Sequence, residues 1–289
     1  MWVIFLIIAL LFIIGCILEN IRELSQFQTT YHTIFTDKIS RDCKLVFLSD
    51  LHNKQYGTDN AKLLTRIQEE DPDIILLGGD MLVGRIRGYD VNTVTFICAL
   101  SQICTVYYAL GNHEQRMKDE PELYGDLFDK YRKEFEGFDV CFLMNQTQDI
   151  VQGNIRVTGL NIPMRAYDKV KRYTDYSIRT MEQAIGKLTE KDKYNILLAH
   201  NPTYMHIYRR WNADLILSGH FHGCAVRIPK IGAVITPQFH LFPKYSEGIY
   251  REKYEDIVVS RGIGEHTLKL RLCNVPELIV LNLVKGQKV

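Results

Sequence analysis

Charge is missing from the first eighteen residues and nearly cancels over the whole chain. The 289 residues include 35 Lys and Arg against 34 Asp and Glu, a formal net charge of +1. The chain therefore has no basic excess with which to grip a polyphosphate backbone, and nucleic acid is not an expected partner. Paired cysteines are missing too. The seven cysteines are widely spaced, odd in number and without a Cys-x-x-Cys pair, which argues against a disulfide framework or a structural zinc site. They read as small buried hydrophobes in a reducing compartment. No internal repeat or low-complexity tract occurs, so solenoid and disordered architectures are set aside. With 46% hydrophobic and 24% charged residues, the remainder reads as a folded domain with a sizeable core.

The uncharged start, Met1 to Leu18, is almost entirely Ile, Leu, Phe, Val, Trp and Ala. As a helix rising about 1.5 Å per residue it would span about 27 Å, enough for the hydrocarbon core of a bilayer. No Lys or Arg precedes the run and no clear small-residue cleavage site follows, which favours an uncleaved single-pass anchor over a signal peptide. A buried core helix would show a polar face, and this segment has none. The nearby basic residues, Arg22, Lys38, Arg41 and Lys44, all follow the run, so the positive-inside tendency places the remaining chain on the cytoplasmic side. Residues 19–43 are polar and weakly patterned and read as a linker. Residues 44–289 read as one large domain.

Within that domain, apolar runs alternate with helical spacing. Strands are expected at Leu45–Leu48, Ile74–Leu77, Val106–Leu110, Val140–Met144, Ile155–Leu160, Ile196–Ala199 and Leu215–Leu217. Helices are expected over 60–70, 91–103, 122–135, 177–188 and 202–211. Continuous apolar strands separated by helices point to buried, mostly parallel pairing. From Ala225 onward the pattern is of strands alone: Ala225–Ile228, Ala233–Thr236, Ile257–Ser260, Leu268–Leu272 and Leu278–Val284. The expected architecture is α/β, a four-layer α/β/β/α sandwich of two mixed sheets flanked by helices, preceded by the membrane helix.

Five short polar islands stand where apolar runs end: Asp50-Leu51-His52, Gly78-Gly79-Asp80, Gly111-Asn112-His113-Glu114, His200-Asn201-Pro202 and Gly219-His220-Phe221-His222. Five of the nine histidines lie in them. Ligand sites in α/β sheets collect at the carboxyl ends of strands, so residues distant in sequence can converge there. Any one island could be a plain turn or a satisfied histidine. Gly-His-Phe-His is the most specific, because alternation puts both imidazoles on one face of an extended segment. Together they offer carboxylates, an amide and imidazoles enough for two divalent metals and a spare proton donor, the apparatus that attacks phosphate esters.

In order and in composition, these islands resemble the five motifs of the calcineurin-like metallophosphoesterase superfamily. Phe242-Pro243-Lys244-Tyr245, Gly248-Ile249-Tyr250, Ser260-Arg261-Gly262-Ile263-Gly264, Leu270-Arg271 and Pro276-Glu277 extend the resemblance to its membrane-anchored bacterial phosphodiesterase branch, which includes enzymes similar to UDP-2,3-diacylglucosamine pyrophosphatases. The resemblance implies a first metal held by Asp50, His52, Asp80 and His222, and a second held by Asp80, Asn112, His200 and His220. It implies a metal-bridging hydroxide as nucleophile and His113 as general acid for the leaving alkoxide. Mn, Fe, Zn and Co all suit such ligands. Glu114 would orient His113 or a ligand, or else face solvent at a helix start.

Two basic clusters could grip a second phosphate or an anionic headgroup, or be merely solvated: Arg85 with Arg87, and Arg165 with Lys169, Lys171 and Arg172. The expected activity is hydrolysis of a phosphodiester or pyrophosphate bond in a lipid-linked or nucleotide substrate. A nuclease or cyclic-nucleotide phosphodiesterase, and a non-catalytic metal-binding membrane module, are the alternatives.

Overall fold

A computed structural model describes residues 1–84, 88–168, 175–224, 227–228, 232–236, 241–265 and 269–287. Helix α1 (Trp2–Ser25) leads into β1 (Gln28–Thr36) and β2 (Cys43–Leu48), and α2 (Ala61–Glu70) separates β2 from β3 (Ile74–Leu77). Then follow α3 (Val91–Leu100), β4 (Val106–Tyr108), α4 (Asn112–Asp119), α5 (Pro121–Tyr124), α6 (Leu127–Glu134) and β5 (Val140–Phe142). The second half holds β6 (Gln146–Ile150), β7 (Ile155–Leu160), α7 (Ile178–Ile185), β8 (Tyr194–Ala199), α8 (Met205–Tyr208) and β9 (Leu215–Ser218). A two-residue pair, β10 (Arg227–Ile228) and β11 (Gly232–Ala233), precedes β12 (Gly248–Arg251), β13 (Asp256–Val259) and β14 (Glu277–Lys285).

Two six-stranded sheets result, β1-β14-β2-β3-β4-β5 and β12-β13-β9-β8-β7-β6. Both are mixed: β2 to β5 run parallel, as do β13, β9, β8 and β7, while β14–β2, β12–β13 and β6–β7 are antiparallel. The period of two along each strand sorts the core into layers. Leu45 and Phe47 of β2 join Ile196, Leu198 and Leu217 between the sheets. Val46 and Leu48 turn instead toward Leu63, Ile67, Phe96 and Tyr131 of the helices outside the first sheet. On the far face of the second sheet, Leu197 and Ile216 pack with Met181, Met205 and Trp211. This is the expected α/β/β/α sandwich.

Three local expectations are corrected and two strands are added. Residues 19–43 are not a linker: α1 continues to Ser25, and β1 pairs in parallel with β14 along its whole length. As an edge strand, β1 buries only Ile34 fully, so it shows no apolar run. Two further edge strands, β6 and β12, escape notice for the same reason. The expected helix over 122–135 breaks at Gly125, which takes φ +61°. Of the expected strand Leu268–Leu272, Leu268 lies outside the described residues and only Leu272 makes a bridge, its carbonyl accepting the Arg227 N–H at 3.0 Å; Arg271 is buried there and turns its guanidinium inward.

Helix α1 is 24 residues long, with a mean hydropathy of 2.9 in its most apolar window and none of that window buried. By length and composition it can cross a membrane.

Candidate active site

The five islands meet at one end of the sandwich, at the carboxyl ends of β2, β3, β4, β8 and β9. The chain must turn abruptly there. Asp50, His52, Asp80, His220 and His222 all adopt left-handed backbone, with φ from 48° to 66°. That conformation is sparsely populated by residues other than glycine, and strain of this kind collects at functional sites. Gly79 has φ +92°, and a Cβ there would stand 2.2 Å from the backbone N of Gly111. The second and third islands can touch only because that position lacks a side chain. Gly79→Ala is expected to cost about 2–3 kcal/mol in a urea titration; a loss below about 0.5 kcal/mol would show that the two turns can part cheaply.

Asp50 is fully buried. Ser49 Oγ donates to its Oδ2 at 2.6 Å, and the His220 backbone N–H to its two oxygens at 3.0 and 3.1 Å. Around its Oδ1 lie the Nε2 atoms of His222, His200 and His52, at 3.3, 3.7 and 3.9 Å. Asp80 accepts the His113 backbone N–H at Oδ1, 2.8 Å away. Its Oδ2 lies 3.3 Å from His200 Nε2 and 3.6 Å from His52 Nε2. Ligand-type atoms of Asp50, His52 and His222 form one group in which all lie within 4.8 Å of one another; those of Asp80, His200 and His220 form a second. Asp80 with His52 and His113 forms a third, so this carboxylate faces both sides.

The electrostatics favour a cation. Burial by itself would raise both carboxyls, yet nearby imidazoles hold them below the usual range: His222 and His200 act on Asp50, His200 and His113 on Asp80. Burial opposes a charged His200 as well, but Asp80 and Asp50 overcome it and push that imidazole up to about 10. For His220 burial prevails, with the charge of His200 adding to it, and the pKa falls to about 3; His52 falls well below its usual value through burial and His222. His200 Nδ1 lies 2.7 Å from the Gly78 carbonyl, which holds a proton on that nitrogen; loss of the second proton, from Nε2, would leave a lone pair aimed at two carboxylates. Nε2 of both His200 and His220 is buried without a hydrogen-bond partner. One amide atom of Asn112 stands 3.2 Å from Asp80 Oδ2 and 3.0 Å from His220 Nδ1; as nitrogen it donates to both, and turned over it would offer an oxygen to a cation instead. Acceptors directed at one another in a buried site repel unless a cation lies among them, so these residues fit divalent metals.

The turn to α4 carries a residue whose role the sequence left open. Glu114 does not face solvent; it is fully buried. Its carboxylate accepts the backbone N–H groups of Asp80, Leu82 and Gly111 at 2.9, 3.0 and 3.0 Å, and the Tyr108 hydroxyl at 2.7 Å. It thus ties β4 and the third island to the second. Burial, and then the charge of Asp80, raises its pKa. Sequence reasoning missed Tyr167, whose ring centroid lies 5.1 Å from that of His220 in an edge-on contact. The only signal was a tyrosine-containing loop. Arg165 is exposed in the same single turn, Met164–Tyr167. Arg85, Arg87, Lys169, Lys171 and Arg172 lie outside the described residues.

The calcineurin-like phosphoesterase family matches residues 43–224, a stretch that contains all five islands. The chain belongs to that family. It is a hydrolase of the calcineurin-like type, with candidate ligands for a dimetal centre at Asp50, His52, Asp80, His200, His220 and His222. Relatives of this calcineurin-like chain include the metallophosphoesterase YkuE of Bacillus subtilis, 28% identical over 89% of this chain and 85% of the relative. Phosphodiesterase YaeI of Escherichia coli is 26% identical over 83% and 82%. The UDP-2,3-diacylglucosamine pyrophosphatase LpxG of Chlamydia trachomatis is 24% identical over 82% of each. Among solved structures, a Thermus thermophilus protein, TT1561, shares the fold, with a TM-score of 0.50 and 14% identity over 77% of this chain and 91% of that one.

Proposed function

We propose that this chain is a membrane-tethered, two-metal phosphodiesterase or pyrophosphohydrolase acting on a lipid-linked or nucleotide phosphoester. The observation that carries the reading is that Asp80 shares one ligand group with His200 and His220 and another with His52 and His113. In this reading Asp50, His52, Asp80 and His222 hold one metal, and Asp80, Asn112, His200 and His220 the other. When bound, such a pair neutralises phosphate oxygens and supplies hydroxide at neutral pH by lowering the pKa of water. The chain's own residues do the rest. Buried Asp50 and Asp80 set the spacing of the imidazoles, Glu114 fixes the backbone that presents Asp80, and His113 protonates the departing oxygen.

Two observations support a substrate taken from a membrane. Helix α1 is long and apolar enough for an anchor. A cavity of about 730 Å³, lined by His52, His113, Lys54, Tyr89 and Lys269 among others, runs from the candidate centre to a residue whose carbonyl accepts a bond from Asn20 of α1. The LpxG relative bears the name of an enzyme for a lipid-bearing nucleotide sugar. Basic residues following α1 favour a cytoplasmic domain.

The test is a substrate panel on the purified full chain loaded with Mn²⁺. Release of a nucleoside monophosphate from a nucleotide-linked lipid, well above turnover of cyclic nucleotides or phosphomonoesters, is the expected result. Preference for cyclic nucleotides would sink the lipid assignment, and no turnover of any diester would sink the enzyme reading.

A further inference from the structure

The last turn of α1 is bonded to a loop that braces the candidate metal centre. Glu23 is 1% exposed, and its Oε2 accepts the backbone N–H of Asn274 at 2.9 Å. One turn earlier, Asn20 Oδ1 accepts the Arg271 N–H at 2.7 Å, and its Nδ2 donates to the Lys269 carbonyl at 3.2 Å. Three hydrogen bonds therefore fix residues 269–274 to the end of the apolar helix.

From its other side this loop reaches the fifth island. Asn274 Nδ2 donates to the carbonyls of His222 and Cys224, both at 2.6 Å. Arg271 is 2% exposed; its Nη2 donates to the carbonyls of Arg261 and Gly264 at 2.9 and 2.8 Å and lies 3.5 Å from His222 Nδ1. The segment it holds lies on the first island, where Gly264 N–H donates to Asp50 O and Ile263 N–H to Ser49 O. His222, Gly223 and Cys224 are consecutively left-handed, at φ 51°, 63° and 67°. Such a run is intrinsically unfavourable for L-residues and must be held from outside. The Asn274 amide spans it with both of its N–H groups.

We propose that Asn274 is a positioning residue for His222 and that α1 sets its place through Glu23, making the apolar helix a structural part of the metal site. The effect on metal rests on the two-metal reading above; the effect on the His220–Cys224 turn does not.

Two measurements on the full chain in phospholipid nanodiscs separate these: hydrogen exchange of amides 219–224 without metal, and the Mn²⁺ binding isotherm. Asn274→Ala is expected to speed exchange there and to weaken Mn²⁺ binding by about tenfold to a hundredfold. Asn274→Asp, which keeps the side-chain size but presents acceptors to two carbonyls, should do the same if the alanine variant folds poorly. Glu23→Ala should move both readouts in the same direction. Glu23→Gln keeps an acceptor for the Asn274 N–H and should restore both toward the parent. Unchanged exchange in both Asn274 variants overturns the brace. A change in those variants with none in Glu23→Ala overturns the link to α1. A parent chain that binds no Mn²⁺ overturns the metal reading alone, and the exchange measurement still decides the brace.

Discussion

Replacing His113 with Ala is expected to leave two Mn²⁺ ions bound and to slow hydrolysis of an alkyl phosphodiester by about 10²–10⁴-fold. The imidazole is well placed for proton transfer: its ring centroid lies 5.0 Å from that of His52, at 87°. Its backbone N–H is anchored on Asp80, which fixes the start of α4 and so the direction in which the side chain leaves. A departing alkoxide is a strong base and needs a proton as the bond to phosphorus breaks; an aryl oxide needs far less help. The loss should therefore be large for an alkyl ester and small for a nitrophenyl ester of the same acid. Because His113 shares a ligand-type group with His52 and Asp80, the metal count is part of the test. A fall from two ions to one would make it a ligand, and equal slowing of both esters would remove its role as acid.

Glu114→Ala carries the largest expected cost in stability. Three backbone N–H groups and a tyrosine hydroxyl converge on one fully buried carboxylate. Each buried donor stranded without a partner costs about 1–3 kcal/mol. Water entering the space and local relaxation offset part of the sum, which leaves about 3–5 kcal/mol, a large share of the usual stability of a domain. Urea titration at constant m-value measures it. Since the stranded groups include the N–H of Asp80, Mn²⁺ affinity should fall with stability. A cost below about 1 kcal/mol would mean that the third island is held by packing rather than by this network.

The buried parallel strands were the most legible part of the fold. The limits of β3 agree with the apolar run Ile74–Leu77, because a strand covered on both faces has no polar position to blur its ends; those of β7 agree with Ile155–Leu160 although Arg156 and Thr158 interrupt it. Of the four edge strands of the two six-stranded sheets only β5 was legible, through the apolar run Val140–Met144. β1, β6 and β12 each leave one face or one end to solvent, and their threonines, glutamines and charges resemble those of a linker. At the site, the order and spacing of the five islands were enough to name the ligand candidates, since metal chemistry demands particular residue types. Glu114, Tyr167 and Asn274 are different. Their effect lies in what they touch, and a glutamate at a helix start or an asparagine in a tail reads the same whether it is solvated or buried.

The sequence by itself therefore determined the kind of chemistry: which side chains could bind metal, that they follow strand ends, and that an uncharged segment, Met1 to Leu18, precedes them. Only the tertiary structure shows where those groups stand relative to one another. Asp80 stands between the two clusters because β3 lies between β2 and β4, while His200 and His220 face it across the gap between sheets. The 269–274 loop joins the site to α1 because Asn274 and Arg271 fold back onto residues some fifty positions earlier. Hydrogen bonds over such separations depend on where the chain has been brought by packing, and local pattern carries no record of it.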